Sequence, residues 1–354
     1  MKIHDHARIL VLILCCGVAG LILFKSGAGR RPEPMPMASW TGNTMGTTYE
    51  VQVAGVEMSD EEIDALSRLV DEELVAVNAA MSTYIPESEI SRFNRSREIG
   101  RPFPISERFA EVMARAVEIY EATEGAFDPT LGPLIDLWGF GAGSTGDGTP
   151  TEEEIQELLV RMGLDRFELS PAGITKNQPE LEINLSAIAK GYAVDRVHRL
   201  LEQEGFEHLY VEIGGELRCS GLNGAGVSWR IGIQMPERDA SASFVRVVRL
   251  ENRSLATSGD YRNFMGESDQ HRHHILDPRT GWPAGHTLAS VSVLAEDCMT
   301  ADAVATALYV MGAEEGMEWL SSRPELDALF IDRHEEGFRF TSTPGFEETL
   351  VPVP

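Results

Sequence analysis

The sequence predicts an α+β fold: a single two-lobed catalytic domain with largely antiparallel sheets and flanking helices. In the second half of the chain, strand-like runs follow one another with few helices between them, which argues against alternating βαβ winding. No Gly-x-Gly-x-x-Gly follows the first strand, so a doubly wound dinucleotide-binding sheet is not indicated. No solenoid-type repeat runs through the chain either.

Taken in order, the run TYEVQVAG (48–55) alternates as a strand does. From Ser59 to Met81 a capping box, Ser59 with Glu62, opens a helix with an apolar stripe. A second amphipathic helix runs from Ser106 and is ended by Gly125. The glycine-rich stretch Gly139–Pro150 reads as a connector, because no Lys follows its glycines and no strand precedes it. Thr149, Pro150 and Glu152 then start a short helix. Residues 181–205 predict a strand running into a helix stopped at Gly205, and residues 208–221 two strands around a Gly-Gly turn. Further strands are expected at 229–234, 244–250, 289–294, 326–332 and 338–343.

The chain has 354 residues, 43% hydrophobic and 24% charged, with a net charge of −26. Five of its 30 basic residues fall within the first 31, so the body is more acidic still. Such a surface repels nucleic acid and anionic lipid, and an anionic small ligand needs local help from amides, a lysine or a divalent cation. Residues 1–31 contain an uncharged apolar run, Ile9–Phe24, read as an export signal or an N-terminal membrane anchor. A Pro-rich spacer, 32–39, separates it from the body at 40–354. Cys219 and Cys298 lack a CxxC spacing, leaving one bridge or two buried thiols open and suggesting no thiolate metal site.

Polar residues collect in apolar or glycine-rich settings along the chain. The pieces are MGT from Met45, MSTY ending at Tyr84, AFDPT at 126–130, SAIAKGYAVD at 186–195, VEIGGEL at 211–217, ATSGDYRNF at 256–264, HILDPRTG at 274–281 and ADAVATAL at 301–308. In this order they resemble the ApbE family of flavin transferases, across about residues 40–345. The resemblance implies transfer of FMN from FAD to a Thr or Ser hydroxyl of an acceptor protein, with release of AMP. Met45, Tyr84, Ala126, Phe127 and Asp128 would then line the flavin nucleotide, with further contacts from Asn184, Lys190, Ile275 and Leu276. Many family members have Asp where Asn184 stands. For the metal the resemblance points to Asp302, Thr306 and the carbonyl of Ala187, and to Mg²⁺.

The residues agree with that last assignment. Asp302 and Thr306 stand four apart, so a helix presents both oxygens on one face. A carboxylate, a hydroxyl and a carbonyl are hard donors, suited to Mg²⁺ and not to zinc or copper. Alone, the pair also fits a first-turn dipole partner and a back-bonded threonine. Asp260 and His274 are the candidate general bases for the acceptor hydroxyl. By resemblance the acceptors are domains of membrane redox complexes, Na⁺-translocating NADH:quinone reductases or Rnf-type complexes, on the periplasmic side of a bacterial inner membrane. Two alternatives stay open: an FAD pyrophosphatase, in which water replaces the acceptor, and a non-catalytic envelope FAD-binding protein.

Overall fold

The structure is a computed structural model that describes residues 33–142, 144, 149–236, 244–260, 274–335 and 337–352. The N-terminal segment 1–31 and part of the Gly139–Pro150 connector lie outside the described residues. Strand β1 (Met37–Thr44) takes in three residues expected in the spacer. After β2 (Thr47–Ala54) comes α1 (Asp60–Met81), whose capping box of Ser59 and Glu62 forms as expected. Helices α2 (Glu89–Arg95) and α3 (Glu107–Ala122) flank the short β3 (Pro102–Phe103). Then follow α4 (Gly132–Leu137), α5 (Glu152–Leu159), β4 (Phe167–Ser170) and β5 (Gly173–Lys176). The cap of α5 is Thr151, boxed with Glu154, two residues beyond the expected Thr149; both threonines have an acid three residues on, and the structure uses the second.

Helix α6 (Ala189–Gln203) precedes a run of strands: β6 (His208–Ile213), β7 (Glu216–Ser220), β8 (Trp229–Gln234), β9 (Phe244–Leu250), β10 (Ser254–Gly259) and β11 (Leu288–Ala295). Helix α7 (Cys298–Leu320), β12 (Asp327–His334), β13 (Gly337–Ser342), α8 (Pro344–Thr349) and β14 (Leu350–Val351) complete the described chain.

Every strand pairing among the described residues is antiparallel. One eight-stranded sheet runs β1-β2-β6-β7-β10-β11-β12-β13, beside three-stranded sheets β14-β9-β8 and β3-β5-β4. Strand alternation gives the large sheet two different faces. Tyr49, Val51, Val53, Leu209, Val211 and Ile213 join the main core with α1, α6 and α7. Leu217, Leu255, Leu294 and Leu329 face the other way, under Trp229, Val248 and Leu250 of the β8–β9 sheet.

One expected strand is absent. Residues 181–185 alternate buried and half-buried, yet they are not part of a sheet. The Ile183 backbone is held instead by the Asn94 amide side chain, at 2.9 and 2.8 Å, and the Asn184 N–H donates to the Pro129 carbonyl at 2.8 Å. A loop whose polar groups are met by a side chain mimics the strand pattern without a strand partner. Cys219 and Cys298 are buried free thiols, which decides against a bridge.

Candidate active site

Two hairpin tips meet at one end of the large sheet. Thr44 pairs with Thr47, so Met45 and Gly46 form a two-residue tip with φ of 50° and 76°. Ile213 pairs with Glu216, leaving Gly214 and Gly215 at 62° and 104°. Two-residue turns that follow strand twist require positive φ at both positions; Met45 accepts a left-handed conformation that a β-carbon disfavours. Gly214 is glycine for a second reason, since a Cβ there would stand 2.8 Å from Thr47 Cγ2.

The α7 N-terminus is held against α6. Asp297 caps it, accepting the Thr300 N–H at 2.7 Å. Asp195 of α6 accepts the Cys298 and Met299 amides at 3.1 and 2.9 Å, satisfying two further free donors, and takes Arg218 Nη1 at 2.8 Å. Burial pushes the Asp195 carboxyl above the usual carboxylate range, while Arg218 and the Met299 amide pull it back. Gly191 permits the close approach: a Cβ on it would lie 2.2 Å from the Cys298 carbonyl.

With Asp297 serving the dipole, Asp302 is free for another task one turn further along. It is 3% exposed. Its Oδ2 accepts the Gly191 N–H at 2.9 Å, and its Oδ1 lies 3.6 Å from Lys190 Nζ. Gly191 is the third residue of α6, so its amide has no carbonyl partner inside the helix, and Asp302 satisfies it. Lys190 Nζ also meets Glu216 Oε1 at 2.8 Å. Burial works against the lysine's charge, but the Asp302 and Glu216 carboxylates outweigh it, so its pKa is raised. Thr306 does not bond back along its helix; its hydroxyl sits 3.1 Å from that of Ser258.

These groups line one cavity of about 420 Å³, together with Met45, Ala187, His274, Ile275 and Leu276. Leu131 and Ile135, at and within α4, form part of its wall. The opposite side of α4, through Gly132 and Asp136, lines a second cleft of about 310 Å³ that holds Asn184. Tyr84 is 72% exposed, and its neighbours Thr83 and Pro86 border that second cleft.

Four expected site residues lie elsewhere. Ala126 and Phe127 are buried in the main core. The Asp128 carboxylate is taken by Thr130, from its N–H at 2.7 Å and its hydroxyl at 2.6 Å, and burial raises its pKa. Segment 126–130 thus stands behind Asn184 and supports it. Asp260 forms a two-pronged ion pair with Arg333, at 2.7 and 2.6 Å, so both of its carboxylate oxygens are engaged. His274 lies at the cavity. Sequence reasoning missed Glu216 and Asp195 as site groups, although both fall within quoted motifs; an acid just after a Gly-Gly tip, beside apolar Leu217, was the available signal for Glu216.

The oxygens of Asp302, Thr306 and Ala187 form a hard donor set of the kind a small divalent cation takes. Among the described residues no three His, Cys, Asp or Glu side chains cluster as metal ligands. A seat built on one carboxylate, one hydroxyl and one carbonyl has too few such side chains to form that cluster.

The ApbE family model matches residues 45–330. The chain belongs to the ApbE family. It is 39% identical to the FAD:protein FMN transferase of Haemophilus influenzae, over 95% of this chain and 97% of that one. It is also 39% identical to the enzyme of the same name from Vibrio cholerae, over 90% and 94%. Among solved structures it resembles the flavin transferase ApbE of Vibrio cholerae, with a TM-score of 0.80 and 38% identity, covering 90% of this chain and all of that one. The apo flavinyl transferase ApbE of Pseudomonas stutzeri matches with a TM-score of 0.77 and 33% identity, over 90% of this chain and 99% of that one. The mixed antiparallel architecture of this ApbE protein agrees with those neighbours.

Proposed function

We propose that the chain is an FAD:protein FMN transferase, moving FMN from FAD to a Thr or Ser hydroxyl of an acceptor protein and releasing AMP. The observation that carries the chemistry is the Lys190 cluster: one half-buried cation between the buried Glu216 and Asp302 carboxylates, with the Thr306 and Ser258 hydroxyls at the same cavity. A pyrophosphate is strongly anionic, and this chain is acidic overall. Two carboxylates offset the Lys190 charge, so the positive charge the pyrophosphate needs would come from Mg²⁺, which Asp302, Thr306 and the Ala187 carbonyl would hold. When bound, the cation neutralises non-bridging phosphate oxygens and stabilises the departing AMP.

In the transfer step the acceptor oxygen bonds to the FMN-side phosphorus and the bond from that phosphorus to the bridging oxygen breaks. Positioning supplies much of the rate in such displacements. His274 lines the cavity and takes the hydroxyl proton in this reading; AMP leaves with the bridging oxygen. The flavin nucleotide spans both cavities around α4, because Asn184 belongs to one and Ala187 and Lys190, a few residues later, to the other. Met45, Ile275 and Leu276 supply apolar surface, and Tyr84 lies against the outer end of the ligand. The apolar segment Ile9–Phe24 exports or anchors the protein at the periplasmic side of the inner membrane, where Na⁺-translocating NADH:quinone reductase or Rnf-type acceptor domains are met.

The test is incubation of the purified protein with FAD, Mg²⁺ and such an acceptor domain. A fluorescent acceptor band that survives denaturation, with one AMP per band and loss on chelation, is expected. Acceptor-independent release of FMN and AMP at an equal rate would replace transfer with pyrophosphatase activity. Tight FAD binding with no AMP at any Mg²⁺ concentration would leave a binding protein.

A further inference from the structure

Beside the reaction cavity lies a larger open groove of about 800 Å³ that none of the chemistry above uses. Its floor is the outer face of β2 and β6, beside the β8–β9 sheet, whose Trp229 ring lies 5.6 Å from that of Tyr210. Thr48, Glu50 and Gln52 of β2 and Tyr210 and Glu212 of β6 form it, opposite in direction to the core-facing Tyr49, Val51 and Val211. Glu50 and Glu212 are direct cross-strand partners, so two acids stand side by side on this face. Like charges so placed disfavour the sheet and favour a cationic visitor.

The wall of the groove is β8. All six of its residues, Trp229 to Gln234, line the groove. Side chains alternate across a strand, so an unbroken run borders a cavity through the strand's backbone edge. Among the described residues β8 is the terminal strand of the β14-β9-β8 sheet and pairs with β9 alone. An open edge of this kind is a template for one more strand. Phe244, 52% exposed, and Met37, 54% exposed, offer apolar contact at the rim. Finally, Thr47, Gly214 and Thr257 line both the groove and the reaction cavity, so the two are continuous past the Gly214–Gly215 tip.

We propose that this groove seats an extended segment of the acceptor protein as an added strand beside β8, with a Lys or Arg side chain over Glu50 and Glu212, so that its hydroxyl is delivered past the Gly-Gly tip to the Lys190–Asp302 cavity. The inference rests on the transfer reading and adds where the macromolecular substrate binds and what charge it carries. The small nucleotide enters the cavity from the α4 side, and the acceptor from the β8 side. An arrangement with separate entrances lets FAD affinity and acceptor affinity be altered independently.

The experiment uses the full chain, FAD, Mg²⁺ and the soluble acceptor domain of a Na⁺-translocating NADH:quinone reductase subunit. Glu50→Lys and, as a neutral block of the same floor, Thr48→Trp are compared with the wild type. Both are expected to raise the acceptor KM about tenfold or more, with kcat at saturating acceptor and FAD affinity unchanged. Amide hydrogen exchange is measured in parallel, and the acceptor domain is expected to slow exchange in β8. Unchanged acceptor KM in both variants together with unprotected β8 overturns the proposal. Protection of β8 without any FMN transfer would keep the groove and reject the transfer reading; absence of both protection and transfer rejects both.

Discussion

Two lysines of this protein, one buried and one half-buried, are treated in opposite ways. Lys176, 2% exposed, points its ammonium at three backbone carbonyls, those of Asn94, Ser96 and Leu181 at 3.2, 2.8 and 2.7 Å, and lies 4.6 Å from the Phe93 ring centre. Burial lowers its pKa to about 8, with only partial help from Glu182. Lys190 instead stands between Glu216 and Asp302, and their charges raise its pKa despite burial. Carbonyl dipoles satisfy an ammonium's hydrogen bonds without neutralising it, whereas carboxylates do both. The first arrangement ties the β5 end to the C-terminal end of α2 and to the 181–185 loop. The second leaves one more acid than base at a cavity, which suits a divalent cation and, through it, an anionic substrate.

Breaking the carboxylate-held cluster has the largest expected effect. Asp302→Ala should lower FMN transfer by about a thousandfold, ~4 kcal/mol of transition-state stabilisation. The protein should still melt in one transition, because Lys190 keeps Glu216. Retention of wild-type turnover would remove Asp302 from the cation seat. Next, Lys190→Met leaves two buried acids without their shared cation and should reduce stability by about 3–5 kcal/mol in urea titrations. Lys176→Met removes a costly charge as well as three hydrogen bonds, so its loss should be smaller, about 1–3 kcal/mol. The reverse order would contradict the distinction drawn between the two sites.

The same contrast can be sharpened by pH. The folded protein releases the Lys176 proton near pH 8, while the unfolded chain holds it to the ordinary lysine value of 10.5. Between those values the unfolded state binds more protons, so this group makes stability rise with pH, by at most about 1.4 kcal/mol per unit. Wild type should therefore gain on Lys176→Met across that window, measured as the difference between their urea midpoints; a flat difference would mean that Lys176 keeps its proton there. The smallest effect is expected at the surface. Tyr84→Ala should leave stability within about 0.5 kcal/mol of wild type, because the side chain is mostly exposed. The FAD KM should nevertheless rise several-fold if the ring covers the ligand; an unchanged KM removes Tyr84 from the flavin site.

Much of the fold could be read directly along the chain. The Ser59–Glu62 box, the Gly-Gly tip between β6 and β7, and the strands β8, β9, β11, β12 and β13 rest on local signals that tertiary packing did not overrule. Two elements departed from expectation. Residues 181–185 had a strand's alternation but found a side chain where a strand partner was needed, and β10 was not expected as a strand because it carries the polar run Thr257–Ser258. Of the site, Met45, Lys190, His274, Asp302 and Thr306 do gather at one cavity. Asp260 and Asp128 could not be sorted from the sequence, since a carboxylate before a turn reads alike whether it faces a ligand, an arginine or its own backbone.

The sequence by itself determined the helices, the hairpins, the helical spacing of Asp302 and Thr306 and the series of motifs that marks the family. Those features depend on neighbours a few residues apart, which steric preference and hydrogen-bonding periodicity fix locally. The tertiary structure alone decided which charges meet: Lys190 with Glu216 and Asp302, Asp260 with Arg333, Asp195 with the α7 amides. Those partners are far apart along the chain, and their attraction acts only once apolar packing of α6 and α7 on the sheet has brought them together and excluded water.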